Sequence, residues 1–140
     1  MLWLTALVIN EVAYLQEDSG WVEVYNESGS VVDLSRYSIN TSFGTFNLTG
    51  VLAGGEYRVF YVRFKSSSDS VTLTMDGNPV DSHSWSTLPS RGSMGRYPNG
   101  TGDFRIFISP TPGRPNDVPA SLDEQSWGRI KALFGPGKRR

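Results

Sequence analysis

Two glutamates near the start of the chain are the most tempting candidates for acid–base chemistry. Glu11 and Glu23 lie in two β-rich segments that follow one another closely. Adjacent strands would set their carboxylates side by side, as the acid and base of a small hydrolase. The same placement would equally suit hydrogen bonding within the fold, because buried polar groups need partners. The residues alone leave both interpretations open.

His83 is the only histidine and therefore the only ordinary candidate for the base of a nucleophilic triad. Asp81 and His83 are two residues apart in a predicted strand, so they share one face, whereas Ser82 and Ser84 point to the other. A nucleophile would have to come from elsewhere in the chain. We therefore interpret His83 as an ordinary strand residue and predict that the protein is not an enzyme.

Metal ligands are scarce in this sequence. One histidine and no cysteine cannot supply a usual zinc ligand set. An oxygen site for calcium is the remaining option, with loop carbonyls beside Asp76, Asn78, Asp81 and Asp103, although their spacing resembles no recognised calcium loop. Turn capping is the simpler role for these side chains, and we predict no cofactor.

The best local candidate for ligand binding is a set of arginines and aromatic residues in the last third of the chain. Its members are Arg91, Arg96, Tyr97, Phe104, Arg105, Phe107 and Arg114. Clustered at one edge, they could contact phosphate or another anionic polymer, including nucleic acid. The formal net charge of −1 provides no global field for such a ligand. The alternative, which we favour, is that Arg96 and Tyr97 brace the long turn at residues 98–100.

Four tripeptides match the acceptor pattern for N-linked glycosylation, at Asn26, Asn40, Asn47 and Asn99. Their density favours an extracellular or cell-surface location. Sequences rich in Asn, Ser and Thr also produce this tripeptide by chance, and the absence of cysteine is compatible with any compartment. A cytoplasmic location remains the alternative.

The elements that must position these residues are short strands. With 15 Gly, 8 Pro and 12% aromatic residues in 140, the composition suits strands joined by tight turns and predicts one all-β sandwich. Asp76-Gly77 is a strong hairpin signal, and residues 65–70 and 86–95 are predicted loops. Strands are predicted over 7–15, 21–25, 31–34, 45–48, 57–64, 71–75, 79–85 and 104–108.

The chain changes character after Asn116, which divides it into a domain over residues 1–116 and a tail over 117–140. The apolar N-terminus is too short for a membrane span and is interpreted as the lead-in to the first strand. A capping-box sequence at 121–124 predicts a short amphipathic helix over 121–134, followed by a basic end. This helix could contact a membrane surface or a partner, or could fray or fold back on the domain.

Several blocks in succession resemble the lamin tail domain as it occurs in prokaryotic proteins. The opening blocks are Val-Ile-Asn-Glu-Val-Ala-Tyr at 8–14, Trp-Val-Glu-Val-Tyr-Asn at 21–26 and Val-Asp-Leu-Ser at 32–35. Later ones lie at 69–73, 76–77, 80–82, 95–104 and 111–116. Each block is weak alone, but their order and spacing make the resemblance specific over residues 7–116. The segment beyond 116 matches nothing in the family.

The resemblance implies an immunoglobulin-like β-sandwich whose function is attachment or recognition. Such domains occur in nuclear lamins and, in prokaryotes, beside hydrolase, nuclease or cell-surface modules. Glu11 and Glu23 both lie in recurrent opening blocks, which favours hydrogen bonding within the fold over catalysis. We therefore expect a non-catalytic module that binds a protein or a surface polymer. A nucleic-acid-binding accessory domain is the first alternative, and a small hydrolase is the least favoured.

Overall fold

The computed structural model describes residues 6–116, and most of these residues lie in β-strands. Apolar and polar residues alternate along many of the strands, as a sheet with one buried face requires. A single 3-10 turn, Leu34–Arg36, follows the third strand, and within the described residues no helix is long and apolar enough to cross a membrane. The strands are β1 (Leu7–Gln16), β2 (Ser19–Asn26), β3 (Val32–Asp33), β4 (Tyr37–Thr41), β5 (Gly44–Asn47), β6 (Val51–Leu52), β7 (Tyr57–Val62), β8 (Ser67–Met75), β9 (Asn78–Thr87), β10 (Ser93–Tyr97) and β11 (Asp103–Phe107).

Two antiparallel sheets form an immunoglobulin-like sandwich. The larger sheet has the order β11-β10-β1-β2-β7, and the smaller has the order β5-β4-β8-β9. Strands β3 and β6 form a separate two-stranded ribbon. Asp76-Gly77 joins β8 to β9 as the hairpin signal predicts, with both residues at positive φ.

The apolar core lies between the two sheets. Val12 and Val22 are partners in register on the inner face of the larger sheet, and both are fully buried. The smaller sheet contributes Ile39 and Leu73, which are also partners and fully buried. The core continues as an aromatic contact between Phe64 and Trp85, whose rings meet edge to face at 5.3 Å.

Several sequence expectations about strands are wrong in detail. Strands β4, β6 and β10 are present where no strand was predicted, and β8 begins at Ser67 inside a predicted loop. The predicted loop over 86–95 ends in the first residues of β10. Strand β2 is buried on both faces, because its central residues are all buried. The predicted helix over 121–134 lies outside the described residues.

Candidate functional site

Glu11 and Glu23 lie side by side on the outer face of the larger sheet, as the sequence predicted. They are partners in the β1–β2 register, and Gly95 of β10 continues the same row across the sheet. A register shift between Ile9 and Glu11 inserts Asn10 as an extra residue, which brings an amide next to the two carboxylates. Both glutamates and Asn10 are fully buried.

A segment of residues 108–116, here called the strap, crosses this outer face and covers the carboxylates. Thr111 donates its backbone N–H to Glu11 Oε2 at 2.8 Å, and its hydroxyl lies 2.8 Å from Glu11 Oε1. Ser93 donates its hydroxyl to the same Oε2 at 2.5 Å. The strap also reaches Glu23, since the backbone N–H of Gly113 donates to its Oε2 at 2.6 Å. The chain itself therefore occupies both carboxylates.

Three asparagines complete the network around the glutamates. The Asn10 side chain donates to Glu23 Oε1 at 3.3 Å and to Asn99 Oδ1 at 2.8 Å. The Asn116 side chain donates to the carbonyl oxygens of Asn10 and Arg96 at 2.8 and 2.7 Å. Gly95 leaves room for this contact, because a Cβ there would lie 2.8 Å from Asn116 Nδ2. The asparagines join β1, β10 and the strap into one hydrogen-bonded unit.

Burial shifts the pKa values of both glutamates upward. Burial raises the pKa of Glu11, against the hydrogen bonds from Ser93 and Thr111 that lower it. Burial also raises the pKa of Glu23 to about 7, and the neighbouring charge of Glu11 adds to this effect. Desolvation is the main cause of both shifts, and repulsion from the neighbouring carboxylate is a smaller one at Glu23.

The oxygen–oxygen distances around Thr111 are compatible with a proton on Glu11. The hydroxyl oxygen of Thr111 lies within hydrogen-bond distance of Glu11 Oε1 and of Asn116 Oδ1, at 2.8 and 3.0 Å. Both of those atoms are acceptors when Glu11 is ionised, yet one hydroxyl proton can serve only one of them. A proton on Glu11 Oε1 would donate to Thr111 and leave the threonine proton for Asn116. The geometry therefore accommodates a neutral Glu11.

This arrangement offers little to a substrate. Two open clefts are present on the described surface, and neither is lined by Glu11 or Glu23. A general acid and base must reach the groups between which they move protons. Here the strap occupies that position, so the pair holds the chain together, in line with the structural interpretation of these residues.

A second polar cluster, around Asp81, joins β9 at the edge of the smaller sheet to β1 and β10 of the larger sheet. Asp81 Oδ2 accepts the backbone N–H of Ile9 at 2.8 Å, and Oδ1 accepts Nη2 of Arg96 at 2.7 Å. The same guanidinium donates to the carbonyls of Ile9 and Gly102 at 2.9 and 3.0 Å. It also lies 4.6 Å above the ring of Phe104. Arg96 thus holds the turn before β11 in place, which is the role we favoured for it, and all three of its guanidinium nitrogens donate within the protein.

His83 belongs to this second cluster and not to a catalytic triad. Its ring stacks on Phe104 at 3.8 Å, and its Nε2 is buried without a partner in residues 6–116. Burial and the charge of Arg96 lower the pKa of His83 to about 4, although Asp81 acts in the opposite direction. The imidazole is therefore neutral at physiological pH. No hydroxyl among the described residues bonds to it.

The remaining arginines of the predicted binding set take no part in the hydrogen bonds of either cluster. Arg91, Arg105 and Arg114 are exposed, and none has an ion pair within residues 6–116. Arg114 lies close enough to Glu11 to lower its pKa. Tyr97 is half-buried at the end of β10, where it precedes a cis peptide bond to Pro98.

The proposed calcium ligands are not assembled into one site. Asp76 pairs with Arg36 across an exposed turn, and Asp81 is engaged by Arg96. Asn78 and Asp103 are exposed on β9 and β11. No group of three or more His, Cys, Asp or Glu side chains in residues 6–116 could hold a metal ion.

The four glycosylation candidates fall into two pairs. Asn26 is fully buried and donates its side-chain nitrogen to the carbonyls of Ser30 and Leu52, so the folded domain has no room for a glycan there. Asn99 likewise donates its side-chain nitrogen to the hydroxyl of Tyr57. Asn47 is exposed, and Asn40 is half-buried on the neighbouring strand. These two remain candidates for modification in the folded protein.

Sequence reasoning missed most of the partners of the acid pair. Ser93, Thr111 and Asn116 are fully or nearly fully buried, yet they are ordinary loop-type residues by sequence. A buried strand with an unpaired Glu does require donors, and the Thr-Pro-Gly-Arg-Pro-Asn block at 111–116 supplies backbone N–H groups from a turn. The separation of about 100 residues between Glu11 and Thr111 concealed the connection.

Comparison with known proteins identifies one family. A family model described as Lamin Tail Domain matches residues 5–87, which is more than half of the chain. No curated protein and no solved structure matches. The match covers the opening blocks and the β8–β9 hairpin, whereas the resemblance of the later blocks at 95–104 and 111–116 lies outside it and stays a prediction.

Proposed function

The chain belongs to the lamin tail domain family, and we propose that it serves as a non-catalytic attachment or recognition module at the cell surface. The observation that carries this proposal is that the strap covers the carboxylates of Glu11 and Glu23. In Glu11 and Glu23, the best catalytic candidates, both oxygens of Glu11 and Oε2 of Glu23 contact the chain's own strap, and Oε1 of Glu23 accepts from Asn10. Their chemistry holds the domain together, which leaves the exposed loops and edges for contact with a partner.

The proposal predicts binding without turnover. We would test the full purified chain against cell-wall polysaccharides, duplex DNA and anionic lipid vesicles at low and moderate salt, and assay each carbohydrate for cleavage. Saturable binding of a polysaccharide with no cleavage supports the module. Cleavage that disappears in Glu23→Gln would replace the proposal with the hydrolase alternative.

A second candidate function is contact with an anionic polymer such as nucleic acid, and the three exposed arginines favour it. Arg91, Arg105 and Arg114 are all exposed, and none forms an ion pair with an acid among the described residues. Phosphate contacts of this kind make affinity fall steeply with salt. The double variant Arg105→Ala/Arg114→Ala should weaken DNA binding and flatten its salt dependence, and unchanged binding would exclude this surface.

Membrane contact through residues 121–134 remains a separate proposal that rests on the sequence. The segment carries apolar Trp127, Ile130 and Leu133 at helical spacing, and basic residues follow it. The full chain with Trp127→Asp and Leu133→Asp should lose vesicle binding if this segment is the anchor. Vesicle binding that survives both substitutions would assign the contact to another surface.

A further inference from the structure

Strand β1 extends beyond its neighbour β10 and leaves part of one backbone edge open. On one side, β2 pairs along β1 from Leu7 to Gln16. On the other side, β10 pairs only at Glu11 and Val12, because it begins at Ser93. Among residues 6–116, the stretch of β1 from 13 to 16 therefore has a strand neighbour on the β2 side alone. Such an edge presents backbone donors and acceptors to another extended chain.

A cleft of about 500 Å³ lies along this open edge. Residues 13–16 of β1 form one wall, and the loop residues 90–92 form the opposite wall. Trp21 and Pro110 also line it, and Leu15, with 49% of its surface exposed, adds an apolar contact. The cleft thus combines an open strand edge with an apolar wall.

The cleft also contains hydrogen-bond donors without partners. Arg91 is exposed and makes no ion pair or hydrogen bond with another described residue. The indole N–H of Trp21 has no acceptor among residues 6–116. The loop that carries Arg91 is held in place, because Gly92 packs so closely that a Cβ would lie 2.2 Å from the carbonyl oxygen of Phe107. Positioned donors of this kind suit a carboxylate.

We propose that this cleft binds the carboxyl-terminal end of an extended peptide, which pairs with residues 13–16 of β1 and places its terminal carboxylate at Arg91. This inference names a partner class for the proposed recognition role and rests on it. Strand addition of this type derives affinity from main-chain hydrogen bonds and specificity from the pockets beside them.

The path of β10 explains why the ligand must end in the cleft. From Met94 onward, β10 occupies the position beside β1, so an added strand cannot continue past Ala13. A chain terminus satisfies this constraint. Because the larger sheet is antiparallel, an added strand running against β1 reaches the β10 side with its carboxyl end. That end meets the loop bearing Arg91.

The surroundings further restrict the sequence of the peptide. Ala13, Leu15 and Trp21 favour an apolar side chain near the terminus. Glu17 and Asp18 lie in the turn at the far end of β1, where they disfavour an acidic ligand residue. The preferred ligand therefore has one carboxylate, at its end, and not a run of acids. This distinguishes it from the anionic polymers that would contact the three arginines together.

A paired peptide library tests the proposal on the full chain. We would use fluorescein-labelled hexapeptides varied over Val, Leu, Ile, Thr and Ser at the last three positions, made once with a free carboxylate and once as the carboxamide. The free-acid peptides should bind, and amidation or Arg91→Ala should each weaken binding roughly tenfold, as expected for the loss of a charge-assisted hydrogen bond. Arg105→Ala is the matched control, since Arg105 is exposed on β11 outside the cleft.

Backbone amide shifts provide an independent readout of the binding position. Titration of ¹⁵N-labelled protein should perturb the amides of residues 13–16 and 90–92 first. Equal binding of acid and amide, unchanged affinity in Arg91→Ala, shifts confined to another surface, or no binding by either library would each overturn the proposal. Polysaccharide binding that persists in Arg91→Ala would leave the attachment role standing, so the two failures are distinguishable.

Discussion

The protein buries carboxylates in two places and neutralises them differently. On the outer face of the larger sheet, Glu11 and Glu23 have no cation inside the network and rely on backbone N–H groups, hydroxyls and a raised pKa. At the joint between the sheets, Asp81 is matched by Arg96 at 2.7 Å, with His83 beside them. Folding raises the pKa of Glu23 in the first region, so acid does not destabilise that region. Folding lowers the pKa of His83 in the second region, so acid does destabilise it.

The two regions therefore limit stability at opposite ends of the pH scale. The pKa of Glu23 rises from 4.5 to about 7 on folding, so its stabilising contribution is complete below pH 4.5 and is lost as the pH rises through 7. The pKa of His83 falls from 6.5 to about 4, so its contribution is present above pH 6.5 and is lost as the pH falls through 4. The free energy of unfolding should therefore be greatest between the two folded-state pKa values, about 4 for His83 and about 7 for Glu23.

The largest expected effect is the removal of Glu11. In Glu11→Ala the hydroxyl of Ser93 and the backbone N–H of Thr111 lose their buried acceptor, which should reduce the free energy of unfolding by about 4 kcal/mol. Urea denaturation of Glu11→Ala and of the wild type near pH 6 measures this change in the free energy of unfolding. Asp103→Ala, an exposed acid on β11, is the matched control and should change stability by less than about 0.5 kcal/mol. A similarly small effect in Glu11→Ala would show that the strap does not depend on the acid pair.

The second largest loss of stability is expected from the removal of the Arg96 guanidinium, the cation that pairs with Asp81. Arg96→Met retains much of the side-chain volume over Phe104 but leaves Asp81 half-buried without its counter-ion, at a cost of about 3 kcal/mol. Arg105→Met on the neighbouring strand removes an exposed arginine and should be nearly neutral. Equal denaturation midpoints for the two variants would mean that the ion pair contributes nothing to the joint between the sheets.

Ionisation of Glu23 should make the free energy of unfolding depend on pH near neutrality. The contribution of Glu23 to the free energy of unfolding should fall by roughly 2 to 3 kcal/mol between about pH 5 and pH 7.5, because the unfolded chain releases the Glu23 proton more readily. It is measured as the difference between the wild type and Glu23→Gln at each pH, since His83 changes the wild-type curve in the opposite direction below about pH 6.5. Glu23→Gln cannot ionise and should lose most of this slope, whatever uniform cost it carries. Asp103→Asn should keep the slope. An identical slope in Glu23→Gln would assign the alkaline limit to another group.

The smallest expected effect lies on the acid side. Protonation of the unfolded chain at His83 should remove about 1 to 2 kcal/mol of stability between about pH 7 and pH 5, and proton uptake by Glu23 offsets this loss in the wild type. His83→Phe preserves ring stacking on Phe104 without a titrating group, so it should gain stability relative to the wild type as the pH falls through this interval. Thermal melts of both proteins at each pH measure the difference, and parallel curves would remove His83 from the comparison.

The sequence predicted one region better than the other for a physical reason. Consecutive strands pair, so the placement of Glu11 beside Glu23 follows from alternation in two neighbouring segments. Asp81 and Arg96 belong to different sheets, and no local pattern relates their positions. Tyr37 and Ile39 alternate with Ser38 and Asn40, so β4 carried a strand signal that went unused. Strand β10 carried little signal, because Gly95 is required there by its close contact with Asn116.

The strap has a consequence for the order in which the protein forms during synthesis. Strands β1 and β2 leave the ribosome early, whereas the groups that cover their carboxylates come from residues 93 to 116. Until those residues emerge, Glu11 and Glu23 face water and repel one another as charged neighbours. We therefore expect the outer face of the larger sheet to stay exposed to water during synthesis until residues 93–116 have been translated and can cover it.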